Sequence, residues 1–562
     1  MSNEIKPDEL LDQIDFAPDS GNWMDTTDSV QIRPGMYCYA AKPESVETLG
    51  LPNARAWNPQ DDDWKLPDNW QEIIFEGMKL RLERFRTFKI FMDICVRCGA
   101  CADKCHFFLG TGDPKNMPVL RAELLRSVYL NDFTTAAKLL SKVPGGKSLA
   151  GARPMTFNVL REWWYYFFQC TECRRCSVFC PYGIDTAEIT IMARELFNLI
   201  GLNIDWIATP VSNCFQTGNH LGIQPHAFKD MMDFFVEDIE DLTGVNCEPQ
   251  YMKKGADILF VTPSGDIFAD PGTYTCQGYL ILFKYLKDKY GLDVTWSTYA
   301  SEGGNFGLFT SHETMKRLNA KMYAEAKRLG VKWILGGECG HMWRVINQYM
   351  DTMNGPADFL EVPKNPITGT VFENAASTKM VHITEFTADL IKHGKLELDK
   401  KRNDDFIMTF HDSCNPARGM GLLDEPRYVI NNVCNHFYEM PPNTIRELTY
   451  CCGSGAGLNA GENMELRMAG ALPRANALNY VHKKFGVNTL GTICAIDRAA
   501  LSTLCEYWVP DVQVAGIHEL VGNALIMPGE KKRSENLRLE PMTGFEESGE
   551  ESNEESEEAG DE

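Results

Sequence analysis

Two cysteine runs with the same spacing constrain this chain more than anything else in it. Cys95, Cys98, Cys101 and Cys105 stand in the order C-x2-C-x2-C-x3-C, and Cys170, Cys173, Cys176 and Cys180 repeat it, with Pro181 following. A tight loop of this spacing wraps three thiolates around one corner of a cubane, and its fourth cysteine reaches the other cluster. That rule gives Cys95, Cys98, Cys101 and Cys180 to one [4Fe-4S] cluster, and Cys170, Cys173, Cys176 and Cys105 to a second. Structural zinc fits poorly, because zinc knuckles pair two cysteines from each of two loops. His106 stands where a proline is expected after Cys105. Such a proline shapes the loop and is not a ligand.

The remaining composition sets limits around these sites. At 562 residues the chain exceeds one ordinary core, so two or three folded units are expected. The N-terminal residues Met1 to Glu9 are acidic, with no basic n-region, apolar h-region or twin arginine, so a cytoplasmic location is expected. In that compartment 19 cysteines point to metal or redox chemistry and not to disulfides. No apolar run approaches the length of a spanning helix. The net charge of -23 owes much to Glu546–Glu562, which holds ten acids and no base and is expected to be disordered. The rest is moderately acidic, which argues against nucleic acid as a partner.

Texture along the chain divides it further. Residues 1–75 read as an extended arm, and a basic, aromatic helical pattern from Asn69 to Ile94 leads into the first cysteine run. This segment is either a solvated helix face or a docking surface for a membrane subunit or anionic lipid. Helical stretches Pro118–Leu130 and Thr156–Phe168 separate the runs, and residues 76–205 read as a helical two-cluster, ferredoxin-like module. The aromatic run Trp163–Phe168 is expected to pack as core and keep water from the cluster. Residues 206–254 read as a linker. Beyond them short apolar runs, Asp257–Val261, Val331–Leu335, Phe406–Phe410 and Val487–Gly491, alternate with helical stretches such as Glu313–Leu329, which is α/β grammar. Thr298-Tyr299-Ala300-Ser301 matches Thr449-Tyr450-Cys451-Cys452, and Gly330-Val331 leading to Cys339 matches Gly486-Val487 leading to Cys494. Two similar halves are expected, residues 255–400 and 401–530, of which the second has kept its cysteines. Residues 531–562 form the acidic tail.

Those cysteines, Cys414, Cys451, Cys452 and Cys494, suggest a third site. Each follows a β-like run, Phe406–Phe410, Leu448–Tyr450 or Val487–Gly491, and parallel α/β units gather such loop starts at the carboxyl edge of the sheet. Adjacent cysteines do not both face one ion comfortably, but they can bridge different irons of a cluster. Glycines at 453, 455 and 457 permit close backbone approach and lack the spacing of a dinucleotide fingerprint.

The pattern Cys414, then Cys451-Cys452-Gly453, then Cys494, resembles the cysteine-rich (CCG) domain of heterodisulfide reductases. Behind a two-cluster module it is similar to the fused subunit of the membrane-bound form, and most similar to the DsrK branch of DsrMKJOP complexes. The resemblance covers roughly residues 76–525. It implies an α+β multidomain chain: a helical two-[4Fe-4S] ferredoxin module followed by an α/β CCG-type domain of two similar halves. It also implies a third, noncubane or otherwise unusual [4Fe-4S] cluster that cleaves a disulfide or trisulfide in two one-electron steps. The implied partners are a DsrM-like membrane haem b subunit, which passes on electrons from menaquinol, other subunits of such a complex, and a DsrC-like sulfur carrier as substrate. The chain would sit on the inner face of the cytoplasmic membrane through those subunits, and the process is sulfite reduction in sulfate respiration.

One departure matters. Where the family has a final Cys-x-x-Cys, Asp497 follows Cys494. Either four cysteines suffice, or Asp497 ligates through oxygen, or Cys339 completes the shell, or Asp497 merely pairs with Arg498 or another base. An oxygen ligand would hold iron more weakly than a thiolate and leave it open to a substrate sulfur. His411 and His341 are candidate proton donors to the leaving thiolate, and structural histidines otherwise. Cys38, Cys214, Cys247, Cys276, Cys434 and Cys505 read as small buried hydrophobes. A different reading of the same modules is the iron-sulfur subunit of a quinone-linked flavoprotein dehydrogenase. It needs a flavoprotein partner, since this chain has no flavin fingerprint.

Overall fold

The computed structural model describes residues 64, 66–140, 142–144, 151–299, 302–459, 463–531, 533 and 537–538, and the backbone of short strands at 37–39, 43–45 and 55–57. Most of the N-terminal arm and of the acidic tail therefore lies outside the described residues, as does the side chain of Cys38.

The basic segment before the first cysteine run forms two helices, Trp70–Arg84 and Arg86–Ile94, separated by extended backbone at Phe85. Its apolar side chains Ile73, Ile74, Met78, Phe88 and Met92 are buried, while Lys79, Arg84, Arg86 and Lys89 face solvent. Arg81 breaks that pattern, because it turns inward to Glu195 at 2.5 Å. Pro118–Phe133 starts with proline, whose missing N–H costs nothing at a first helical turn. Phe157–Phe167 starts at Thr156, whose Oγ1 accepts from the Val159 N–H at 3.3 Å. Trp163, Trp164, Phe167 and Phe168 are buried, as an aromatic core run should be. Thr186–Leu199, capped by Asp185, is buried on nearly every side and carries Arg194 and Glu195 into the interior. A core of helical-module residues continues through Leu308, Phe309, Val345, Ala456 and Leu466 of the α/β part.

The α/β part holds two parallel sheets. Strands β1 (Gln250–Tyr251), β2 (Ile258–Val261), β3 (Val294–Trp296), β4 (Trp333–Gly336) and β5 (Met380–His382) lie in the order 1-3-2-4-5. Strands β6 (Met408–Phe410), β7 (Thr489–Thr492) and β8 (Gln513–Gly516) form the second sheet, with β7 between its neighbours. The inner strands β2 and β4 are buried throughout, which is why they read as uninterrupted apolar runs. The stretch 206–254, read as a linker, contains the helices Asp205–Gln216 and Pro225–Thr243, and the second buries Phe228, Met232, Phe235 and Ile239 in the core.

One succession of elements occurs in both sheets. Helix His312–Leu329 ends at left-handed Gly330, β4 follows, and Cys339 stands at the N-cap of Gly340–Asn354. Helix Met464–Phe485 ends at left-handed Gly486, β7 follows, and Cys494 stands at the N-cap of Ala495–Trp508. The two carboxyl edges meet, with the Ala495 N–H donating to the Glu338 carbonyl at 2.8 Å.

Helix Met464–Phe485 also locks the helical module in place. Pro473 lacks the N–H that the Ala469 carbonyl would receive, and that carbonyl packs onto Gly110 of helix His106–Thr111. A Cβ at Gly110 would lie 1.7 Å from the Ala469 oxygen, so only glycine fits there.

The expected strand Leu448–Tyr450 does not form. Arg446–Leu448 is a 3-10 turn, and the carbonyls of Thr449 and Tyr450 accept from Arg418 and Arg474, which occupies the groups a strand would need.

Candidate metal centres

Both cysteine runs fold into the same loop. Arg97 and Gly99 have φ of 56° and 78°, and Glu172 and Arg174, at the matching positions of the second run, have φ of 55° and 60°. Left-handed backbone at three residues other than glycine costs free energy, and both loops carry it between cysteines that line a shared cavity. Cys95, Cys98, Cys101 and Cys180 line one cavity, walled by Met92, Val119 and Ile184. Burial pushes the Cys101 thiol up to about 11, with added repulsion from Cys180 and Cys95. Cys105, Cys170, Cys173 and Cys176 line a second cavity beside Arg121. Cys176, which also borders the first cavity, is pushed up to about 12 by burial and accepts or donates a 2.5 Å hydrogen bond with Thr186. Although burial works against it, Arg121 and His106 hold Cys105 below its ordinary value. Cys98 is exposed and Cys105 buried, so the two cavities form an outer and an inner site.

The third group of thiols lies directly against the inner site. Cys173, Cys414 and Cys452 all donate to the Cys451 thiol and hold it well below its ordinary value, while their own thiols are raised. Cys451 also bonds Thr171 Oγ1 at 3.3 Å, and Thr171 Oγ1 lies 2.8 Å from His106 Nε2. His106 Nδ1 meets the Gly470 carbonyl at 2.7 Å. The residue in the proline position of the first run is thus a buried bridge between the helical module and helix Met464–Phe485. Among the described residues His106, Cys173 and Cys451 offer ligand atoms within 4.8 Å of one another.

Arginines brace this junction. Arg418 donates to the carbonyls of Cys173, Thr449 and, at 2.7 Å, Glu447. Arg194 donates to Phe167 and Cys170 at 2.9 Å and to Ala456 at 3.0 Å. Gly453, at φ 87°, turns the chain after the paired cysteines where a Cβ would meet the Arg467 carbonyl at 2.8 Å.

Asp497 does not pair with Arg498. Its Oδ2 lies 3.5 Å from His411 Nε2, and it accepts from Cys452 and Ser413. Together these donors keep its carboxyl below the ordinary value despite burial. Arg498 points the other way, into Asp266 and, at 2.5 Å, Glu338, and Glu338 in turn holds His518 at 2.6 Å. Cys494 stands apart from the Cys414–Cys451–Cys452 group, with its Sγ 3.9 Å from His341 Nδ1. Cys339 is buried near Cys494 and, with His341, lines a cavity of about 350 Å³ that also touches Glu302, Ser454 and Ala495. Cys214, Cys247, Cys276, Cys434 and Cys505 are buried, as read from the sequence.

The residues therefore fit the groups the spacing implies: two sets of four thiols line two cavities, and a third set converges beside the inner one. A 4Fe-4S dicluster domain matches residues 91–184, which span both runs. Over 95% of its length the chain is 48% identical to 99% of a protein of Archaeoglobus profundus named Hdr-like menaquinol oxidoreductase iron-sulfur subunit. The chain belongs to this family of Hdr-like iron-sulfur subunits. A second member, from Archaeoglobus fulgidus, is again 48% identical over 95% of the chain and 99% of its own length. Further off, a subunit of the dihydromethanophenazine:CoB–CoM heterodisulfide reductase of Methanosarcina acetivorans is 40% identical over 77% of the chain and 94% of its own length. Membership makes this Hdr-like chain an iron-sulfur oxidoreductase subunit. No helix among its described residues is long and apolar enough to cross a membrane.

Sequence reasoning missed the contact of Cys173 and His106 with Cys451. It also missed Arg467 and Arg474, whose signal was their spacing on one helix face between glycine and alanine.

Proposed function

We propose that this chain carries electrons from a membrane quinol and haem b partner to a cysteine-ligated site that reduces a disulfide or trisulfide, with a DsrC-like carrier as substrate. Cys95, Cys98, Cys101 and Cys180 would hold the outer [4Fe-4S] cluster, and Cys105, Cys170, Cys173 and Cys176 the inner one. Cys414, Cys451, Cys452 and Cys494 would hold a third, unusual cluster, with Asp497 or Cys339 completing it. When bound, these groups supply one-electron transfer, and a disulfide needs two such transfers. The observation that carries the reading is the approach of Cys173 to Cys451, whose sulfur atoms lie within 4.8 Å of each other where the inner site meets the third.

The chain's own residues do the rest. Arg418 and Arg194 fix the two loops relative to each other, and His411 and Ser413 orient Asp497 beside Cys452. The cavity of about 350 Å³ would bring a substrate sulfur past Cys339 and His341; burial holds the His341 imidazole below its ordinary value, so its ring would relay a proton to a departing thiolate rather than store one. The matched elements around Cys339 and Cys494 support a domain of two similar halves, one of which has lost its cluster. The names of the relatives support quinol as the electron source, and a place on the inner membrane face through partner subunits would follow from a membrane quinol partner.

Iron analysis with spectroscopy of the intact purified protein tests this. About 12 irons, with one signal unlike the other two, are expected. Eight irons and only ordinary cubane signals would remove the third site.

A further inference from the structure

Helix Met464–Phe485 brings two guanidinium groups to the third site on one face. Arg467 and Arg474 are seven positions apart, two helical turns, and are 3% and 0% exposed. Arg467 Nε donates to Ser454 Oγ at 2.8 Å, two residues past Cys452, and its Nη2 is buried without a hydrogen-bond partner among the described residues. Arg474 donates to the Thr444 carbonyl at 2.6 Å, to Thr449 Oγ1 at 2.7 Å and to the Tyr450 carbonyl at 3.3 Å, immediately before Cys451. Neither makes an ion pair among the described residues. Asp412 and Asp497, the carboxylates that act on Arg474, are engaged by Arg427 at 2.7 Å and by His411.

Burying an unpaired cation is costly, and a buried donor left empty adds to the cost. Two such cations on one helix face, both bonded to the Cys451–Cys452 loop, are placed to balance negative charge gathered at that loop. A thiolate-ligated iron-sulfur cluster is anionic and takes on further negative charge when reduced. We infer that Arg467 and Arg474 are fixed counter-charges for the third cluster, with Arg467 Nη2 reserved as a donor to its sulfur. The inference rests on the third site proposed above. It assigns these arginines the task of raising that cluster's reduction potential above those of the two ferredoxin clusters, so that electrons arriving from the inner site run downhill.

The test is an EPR-monitored redox titration of the whole protein, with iron content, for wild type, Arg467→Met and Arg467→Lys. In Arg467→Met the third-site signal is expected to shift by about tenfold in its reduced-to-oxidised ratio, near 59 mV lower for one electron, with the other two signals in place. Arg467→Lys keeps the charge and is expected to stay near wild type. If Arg467→Met instead loses the third cluster while Arg467→Lys retains it at the wild-type potential, the counter-charge role stands in a stronger form. An unchanged potential in Arg467→Met, equal shifts in all three signals, or loss of the cluster in both variants would overturn it. Wild-type protein with only eight irons would be a different failure, removing the third site and this inference with it.

Discussion

The Cys173 thiol, from the second ferredoxin run, lies within 4.8 Å of the Cys451 thiol of the Cys-Cys-Gly loop. A candidate ligand of the inner site thereby lies beside a candidate ligand of the third, whereas Cys98 lies at the solvent end of the outer site. Replacing Cys173 by Ala is expected to remove the inner cluster and to change the spectrum of the third site as well. Cys98→Ala is expected to disturb the outer cluster alone. Spectra of the two variants recorded side by side decide the matter, and a third-site signal indifferent to Cys173 would separate the two centres.

Cross-ligation makes a prediction against sequence proximity. Cys180 follows Cys176 closely in the chain, yet it lines the cavity of Cys95, Cys98 and Cys101. Cys180→Ala should therefore disturb the outer cluster and spare the inner one, as read by the loss of one reducible signal. Loss of the inner signal instead would reverse the assignment.

Catalysis should fail without electron entry failing. Single replacement of Cys451 or Cys452 by Ala is expected to abolish turnover with a disulfide or trisulfide carrier, while the outer cluster still reduces normally. Cys452→Ala should spare the inner cluster too, because Cys451 is the residue that meets Cys173. Stopped-flow reduction alongside steady-state turnover measures both halves. A Cys452 variant that keeps its activity would rule out the reductase reading.

The joint between the basic helices and the α/β part should depend on pH. Burial opposes charge on His312, but Glu195, at 2.8 Å, and Glu188 outweigh it and raise His312 to about 10. A group raised above its ordinary value of 6.5 stabilises fully below that pH and loses its contribution as pH rises through about 10. His312→Gln removes one charged partner of Glu195, which keeps Arg81 at 2.5 Å, and should cost about 2 kcal/mol at pH 7. The gap in melting temperature between wild type and variant should narrow from pH 7 to pH 10. A constant gap would show that His312 is not charged in the folded protein.

Much of this was legible because metal-binding spacing and strand burial are local signals. The two cysteine loops could be read from spacing alone, and the runs around Ile258, Trp333, Met408 and Thr489 became strands within two or three residues of where apolar runs placed them. Leu448–Tyr450 misled because its carbonyls are claimed by Arg418 and Arg474 from distant positions, which no local pattern records. The same holds for Asp497. Arg498 or another base was expected to pair with it, and it is another, because successive helical residues point in different directions: Arg498 reaches Asp266 and Glu338 while Asp497 faces His411. Contacts such as Cys173 with Cys451 exist only once the whole chain has closed.

The seat of the Ala469 carbonyl on Gly110 bears on what can be transplanted. The helical module has the look of a portable relay that could be excised, or exchanged for another of its kind. Cutting it free would strip the cover from Phe107 and His106, whose packing and hydrogen bonding belong to helix Met464–Phe485. A foreign relay would fit only if it brought a glycine to that one step and a small helix end around it. Gly110 and Pro473 must therefore be inherited together, and a working chimera of this chain has to place its seam somewhere other than between the relay and the site it serves.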